Sequence, residues 1–146
     1  MNRSGYTMIE LMITVVIFGI LLGIAYTRLT PAFQHARVNR AATVLATDLR
    51  YAQMLAVRQR TPIAVLALSS VKGYLIRGRD GAVVYRERFL GPESEFDLDS
   101  FSGSPTSVEL FPNGVATGSI TFTLGLLGYQ RQVRMTRAGQ VRISVP

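Results

Sequence analysis

Three groups of residues in this chain have types and spacing that bear on chemistry. The first is Glu10, a carboxylate at the leading edge of an apolar run, with Gly5, Tyr6 and Thr7 just before it. A charge at mid-membrane costs roughly 2.5–3.5 kcal/mol on insertion scales, and less near the interface. A carboxylate there calls for a cationic partner. The positive field of a helix N-terminus tolerates such a residue, but it does not account for the residues around it. The second group is arginine. The formal net charge is +7, carried by 15 arginines and one lysine, Lys72. A high-GC genome explains that bias by codon usage, and binding of phosphate or another anion explains it by chemistry. Arg131, Arg134, Arg137 and Arg142 are the densest cluster, and no acidic residue follows Glu109. The third group is Glu93, Glu95, Asp97 and Asp99, alternate carboxylates in a stretch, 91–105, that has no basic residue. Calcium is one reading of such spacing, but the glycine and terminal glutamate of an EF-hand loop are missing. A solvated, flexible loop is the expectation, able to meet the basic surface of an adjacent subunit.

Other chemistry is excluded or unmotivated. The chain has no cysteine, so disulfides, thiol catalysis and cysteine metal sites are ruled out. A single histidine, His35, does not build a histidine metal site. No serine lies in a nucleophile elbow, and no phosphate loop is present. The expectation is a non-enzyme with no metal and no cofactor.

The element that carries Glu10 is an apolar helix. Leu11 to Ala25 holds no charged residue. A helix from Met8 to Tyr26 spans about 28 Å at ~1.5 Å per residue, close to a hydrocarbon core of about 30 Å. A secretory signal is the competing reading, with Met1-Asn2-Arg3 as its basic start and Gly23-Ile24-Ala25 as a cleavage site. The length of the run and the position of Glu10 argue against it. Arg28, Arg37 and Arg40 follow the span while Arg3 precedes it, so charge counting alone gives a weak or inverted topology.

Gly5-Tyr6-Thr7-Met8-Ile9-Glu10, followed at once by the apolar run, resembles the processing motif of type IV prepilins and type II secretion pseudopilins. Tyr6 stands where the family usually has Phe, and Met8 where it has Leu. The resemblance implies that a prepilin peptidase cuts after Gly5 on the cytoplasmic side. Tyr6 becomes an N-methylated new terminus. Glu10 then neutralises that amine, on a neighbouring subunit of a helical filament. Opposite charges in a low-dielectric setting attract strongly, and either one alone is costly there. The leader must be cytosolic to be cut, which orients the span.

Beyond the span, Pro31 is expected to end or bend the helix. Ala41, Ala42, Leu45, Leu49, Ala52, Leu55 and Ala56 then recur at helical spacing, with Arg37, Arg40, Asp48 and Arg50 interspersed. That predicts an amphipathic helix from about Ala32 to Arg58 whose apolar stripe packs on a core. From Pro62 the pattern changes to short strands. Ile63–Leu68 is apolar on both faces, which predicts a central strand. Asp80-Gly81 marks a hairpin turn. In the strand that follows, Val83, Tyr85 and Phe89 lie on one face and Val84, Arg86 and Arg88 on the other. Further strands are expected at Thr106–Phe111, Ser119–Leu124, Tyr129–Thr136 and Gln140–Val145, the last two forming a hairpin about Arg137-Ala138-Gly139.

Phe111, Pro112 and Gly114, then a strand and a final hairpin with Gly139 in its turn, resemble the domain shared by the minor pseudopilin H and FimT-like minor pilins. The two resemblances imply an α+β, pilin-like fold: a long N-terminal helix, transmembrane and then amphipathic, packed on an antiparallel β-sheet domain. The expected division is a leader at 1–5, a transmembrane half-helix at 6–28, an amphipathic half at 29–60 and a periplasmic β-rich domain at 61–146. The implied partners are a prepilin peptidase, other pilin or pseudopilin subunits and the bacterial inner membrane. The implied function is a minor pseudopilin of a type II secretion system, with a FimT-like minor type IV pilin as the alternative. Some FimT-like pilins take part in DNA uptake through a Gly-Arg-x-Arg pattern. The matching stretch is Gly139-Gln140-Val141-Arg142, with Gln140 in place of one arginine. Aromatic platforms for single strands are sparse there, with only Tyr129 nearby. DNA is therefore the less favoured partner of the arginine cluster.

Overall fold

The structure, a computed structural model, describes residues 6–146, and of residues 27–30 only the backbone. Two compact units are defined, Met1–Phe33 and Gln34–Pro146.

The first unit is the start of helix α1, Met8–Gln59. Its apolar side chains from Met8 to Tyr26 are exposed on every side of the helix. A helix that is apolar all round is suited to lipid or to other apolar helices, not to water. Pro31 lies inside α1 and does not end it. A proline removes one intrahelical hydrogen bond, and helical turns on both sides continue past it.

In the second unit α1 turns one stripe inward. Val38, Ala41, Ala42, Leu45, Leu49, Ala52 and Ala56 have no exposed surface, and they join one core with residues from six of the strands. The small alanines let the helix approach closely. Among the described residues, eight strands form two four-stranded antiparallel sheets. The first sheet contains β1 (Ile63–Leu68), β2 (Gly73–Gly78), β3 (Val84–Phe89) and β5 (Ser107–Leu110), in the order β3-β2-β1-β5. β1 is a central strand, as its two-faced apolar sequence predicts. The second sheet contains β4 (Ser100–Ser104), β6 (Ile120–Leu126), β7 (Tyr129–Met135) and β8 (Val141–Ser144), in the order β4-β6-β7-β8.

The expected loop at 91–105 is not a free loop. β4 occupies its second half, pairing Phe101 with Leu124 and Gly103 with Phe122. Phe96 and Leu98 are buried in the core. Asp97 and Glu95 pair with Arg37 and Arg40 of α1, each at 3.1 Å. Two apolar anchors pull the segment down, and the carboxylates then meet cations of the same chain.

The two sheets come closest where β4 passes β1. A Cβ added to Gly103 would overlap the Cβ of Ala67 and crowd the ring of Phe122. Gly103→Val should therefore force the layers apart. Overpacking of this kind costs about 1–3 kcal/mol, to be read as a lowered urea midpoint with an unchanged slope. An unaffected midpoint would mean that the junction is looser than its geometry.

Candidate functional site

The residues singled out by the sequence fall in two places, the start of α1 and the last hairpin. Gly5 lies outside the described residues. Tyr6 is exposed and precedes the helix. The Glu10 N–H donates to Thr7 Oγ1 at 3.3 Å. Thr7 is thus the N-cap and Glu10 the third helical residue, the Thr-x-x-Glu spacing of a capping box. The cap, two residues after Gly5, fixes the start of the helix at Met8. It also puts the Glu10 carboxylate beside the positive end of the macrodipole. Thr14 Oγ1 donates back to the carbonyls of Glu10 and Leu11, at 3.0 and 2.8 Å, so its hydroxyl adds no unsatisfied donor to the apolar surface. Among the described residues, no cation of the same chain pairs with Glu10.

The arginine cluster divides. Arg134 and Arg142 are direct cross-strand partners, and both are exposed. Arg137 is exposed in the turn, where its carbonyl accepts from the Ala116 N–H at 2.8 Å. Among the described residues, no carboxylate pairs with these three. Arg131 is different. It lies on the face of β7 shared by Val133 and Met135, and that face turns inward. Its Nε donates to Asn39 Oδ1 of α1 at 2.8 Å, and its guanidinium lies over the Tyr129 ring. Tyr129 in turn stacks on His35, with ring centroids 3.8 Å apart. Both Arg131 and the one aromatic near the hairpin are thus engaged with the helix.

The two marker glycines meet. Gln53 Nε2 of α1 donates to the Gly114 carbonyl at 3.1 Å. A Cβ on Gly139 would collide with that same amide. Gly114 and Gly139 both have positive φ, 82° and 77°, which glycine adopts without penalty. The two turns therefore meet α1 at one glutamine, Gln53.

The largest feature that sequence reasoning missed is around Asp48. It is one of the polar residues interspersed along the helical stripe, and it is 2% exposed. Three groups converge on its carboxylate. Tyr74 Oη donates at 2.6 Å, Arg88 Nε at 3.1 Å, and Arg86 donates to the other oxygen. The register explains it: Tyr74 pairs with Arg88 and Ile76 with Arg86, and a bulge at Tyr85 separates them from Val84. The arginine face of β3 is the inward one, and Phe89 is left exposed. Burial, and then the bond to Asp48, raise the Tyr74 pKa far above the ordinary tyrosine range, so the phenol remains a donor. The available signal was the Arg-x-Arg alternation in β3 matched to the only carboxylate of the soluble helix.

An exposed apolar helix start joined to a helix-backed, two-sheet antiparallel domain is the architecture of a pilin-like subunit. Comparison with known proteins agrees. Residues 1–26 match the prokaryotic N-terminal methylation motif, and residues 41–139 match the type II transport protein GspH. The chain belongs to the GspH family of pilin-like proteins. It is 29% identical to the pilin-like protein PilA1 of Thermus thermophilus, over 98% of this chain and 99% of that one. The crystal structure of the type IV minor pilin FimU of Pseudomonas aeruginosa superposes with a TM-score of 0.58 at 25% identity, covering 73% of this chain and 87% of that one. The minor pseudopilin EpsH from the type 2 secretion system of Vibrio cholerae superposes with a TM-score of 0.61 at 14% identity, covering 75% and 98%. That last likeness is one of fold.

Proposed function

We propose that this chain is a minor subunit of a filament anchored in the bacterial inner membrane, with its two-sheet domain in the periplasm. The observation that carries the reading is the join between a methylation motif at 1–26 and a GspH-type domain at 41–139. Between them runs a helix whose first 19 residues are apolar except for Glu10, Thr14 and the small residues. A prepilin peptidase removes residues 1–5. The amine of Tyr6 is methylated, and Glu10 of a neighbouring subunit pairs with it. The apolar helices pack together, and the charge pair sets their register.

The finer placement is the pseudopilus of a type II secretion system, supported by the family match. A minor type IV pilin is the second reading, supported by the 25% identity to FimU and the likeness to PilA1. Deletion of the gene in its host separates them. Loss of secreted enzymes with pili intact supports the first, and loss of surface pili with secretion intact supports the second.

DNA binding gives a further test. With Arg131 and Tyr129 engaged by the helix, three unpaired arginines remain. In the first reading the full chain in detergent retains no duplex DNA at low salt. Retention that falls steeply with added salt, and falls again in Arg134→Ala or Arg142→Ala, would favour a DNA-uptake pilin.

A further inference from the structure

β3 is an edge strand of the first sheet, and its faces are inverted. Arg86 and Arg88 turn toward α1, where they reach Asp48. Glu87 and Phe89 therefore turn away from the helix, and both are exposed. Phe89 borders a surface hollow that it shares with Val71 and Glu93. Val71 and Phe89 are each about half exposed. Among the described residues, no cation pairs with Glu87 or Glu93. Lys72 lies nearby with its stem packed on Gly91, which leaves this rim acidic on balance. An apolar edge strand is a liability in water, and an apolar patch rimmed by charge marks a contact surface.

The other side of the same unit is its complement. At about 100° per residue, Arg50, Met54 and Val57 lie about 180–240° around α1 from Asp48, facing away from the sheets. Met54 and Val57 are both exposed. With Gln53, Arg58 and Gly114 they line an apolar groove of about 310 Å³, which has room for an aromatic side chain. Arg50 and Arg58 are exposed, and no carboxylate pairs with them among the described residues.

The two faces lie on opposite sides of one compact unit, so they do not meet within one chain. Neither face suits its own copy, since carboxylates would then oppose carboxylates and arginines oppose arginines. A contact between unlike faces is heterologous, and it repeats from copy to copy. Its axial offset follows from the helix. Arg88 meets α1 at Asp48, and Met54 is six residues further on, which is about 9 Å of rise.

We propose that these faces form one contact between two copies of this chain. Phe89 of one copy enters the Met54–Val57 groove of the next, and Glu87 and Glu93 meet Arg50 and Arg58. Successive copies are then displaced by about 9 Å along α1. The contact lies within the Gln34–Pro146 unit and goes beyond the pairing proposed for Glu10. It lets copies of this chain follow one another directly.

The test uses the absence of cysteine in the chain. Val71→Cys, beside the phenylalanine, and Val57→Cys, in the groove, each give the full chain one reactive site. The two variants are reconstituted together in phospholipid vesicles and treated with a short bismaleimide crosslinker. The expected yield of linked pairs is several-fold above that of either variant alone. Glu87→Arg with Glu93→Arg in the Val71→Cys copy should bring the yield down to the single-variant level. Arg50→Glu with Arg58→Glu in the other copy should then restore it. Equal yields from the mixture and the single variants overturn the proposal, as does a yield indifferent to charge reversal. Linkage of Val57→Cys in host membranes only to a different protein also overturns it, and gives the groove to another subunit.

Discussion

Asp48→Ala should destabilise the Gln34–Pro146 unit by about 3 kcal/mol, the low end of the range for breaking a buried charge pair. The low end applies because the surviving partners, Arg86 and Arg88, keep about a third of their side-chain surface in water. The Tyr74 hydroxyl, by contrast, is fully buried and loses its acceptor, which accounts for about 1–3 kcal/mol of that loss as an unsatisfied group. Asp48→Asn should cost less, because it leaves Tyr74 an acceptor but leaves two like charges uncompensated. Urea unfolding of the full chain in detergent, followed by tyrosine fluorescence, reads both. A loss under about 1 kcal/mol for Asp48→Ala, the level of an exposed ion pair, would mean that the carboxylate is not what holds β3 to the helix.

Glu10→Ala should leave processing at Gly5 intact and reduce incorporation into filaments more than about tenfold, since only ~1.4 kcal/mol is needed for that factor. Removing the carboxylate leaves the amine of a neighbouring Tyr6 unpaired in an apolar bundle, and such a charge costs several kcal/mol. The helix itself should survive. Its N-cap is the Thr7 hydroxyl, which bonds the Glu10 backbone N–H rather than its side chain. Glu10→Gln should retain little of the lost incorporation, because shape without charge does not compensate an ammonium. Crosslinking of mature subunits in sheared filaments measures it. Normal incorporation of Glu10→Ala would remove the role proposed for this carboxylate.

The parts of the protein that were legible in sequence are those written contiguously. Gly5 through Glu10 and the apolar run form one linear pattern, and a helical stripe or an alternating strand repeats within a few residues. β1, the final hairpin and the inward face of α1 follow from such patterns. What was not legible depends on residues far apart in the chain. Asp48 has the spacing of neither a clean core position nor a surface one, and its partners lie some 26 to 40 residues away. The alternation in β3 separates its two faces but does not say which one turns inward. Only the register with β2 settles that, by placing Arg86 and Arg88 beside Ile76 and Tyr74. The acidic stretch was misread because its charges outnumber its anchors. Two buried residues, Phe96 and Leu98, outweigh four carboxylates, of which Glu95 and Asp97 pair with the helix and Asp99 accepts from the Leu127 N–H. Arg131 was grouped with its neighbours by sequence proximity, although strand alternation puts it on the opposite face from Arg134.

The first residue of the mature chain separates a filament subunit from a secreted protein. Intact-mass analysis and N-terminal sequencing of protein extracted from host membranes should find a chain that begins at Tyr6 with a methylated amine. A mature chain beginning at Tyr26 would contradict it, since the apolar run would then be a discarded secretion signal and Glu10 would have no place in the finished protein.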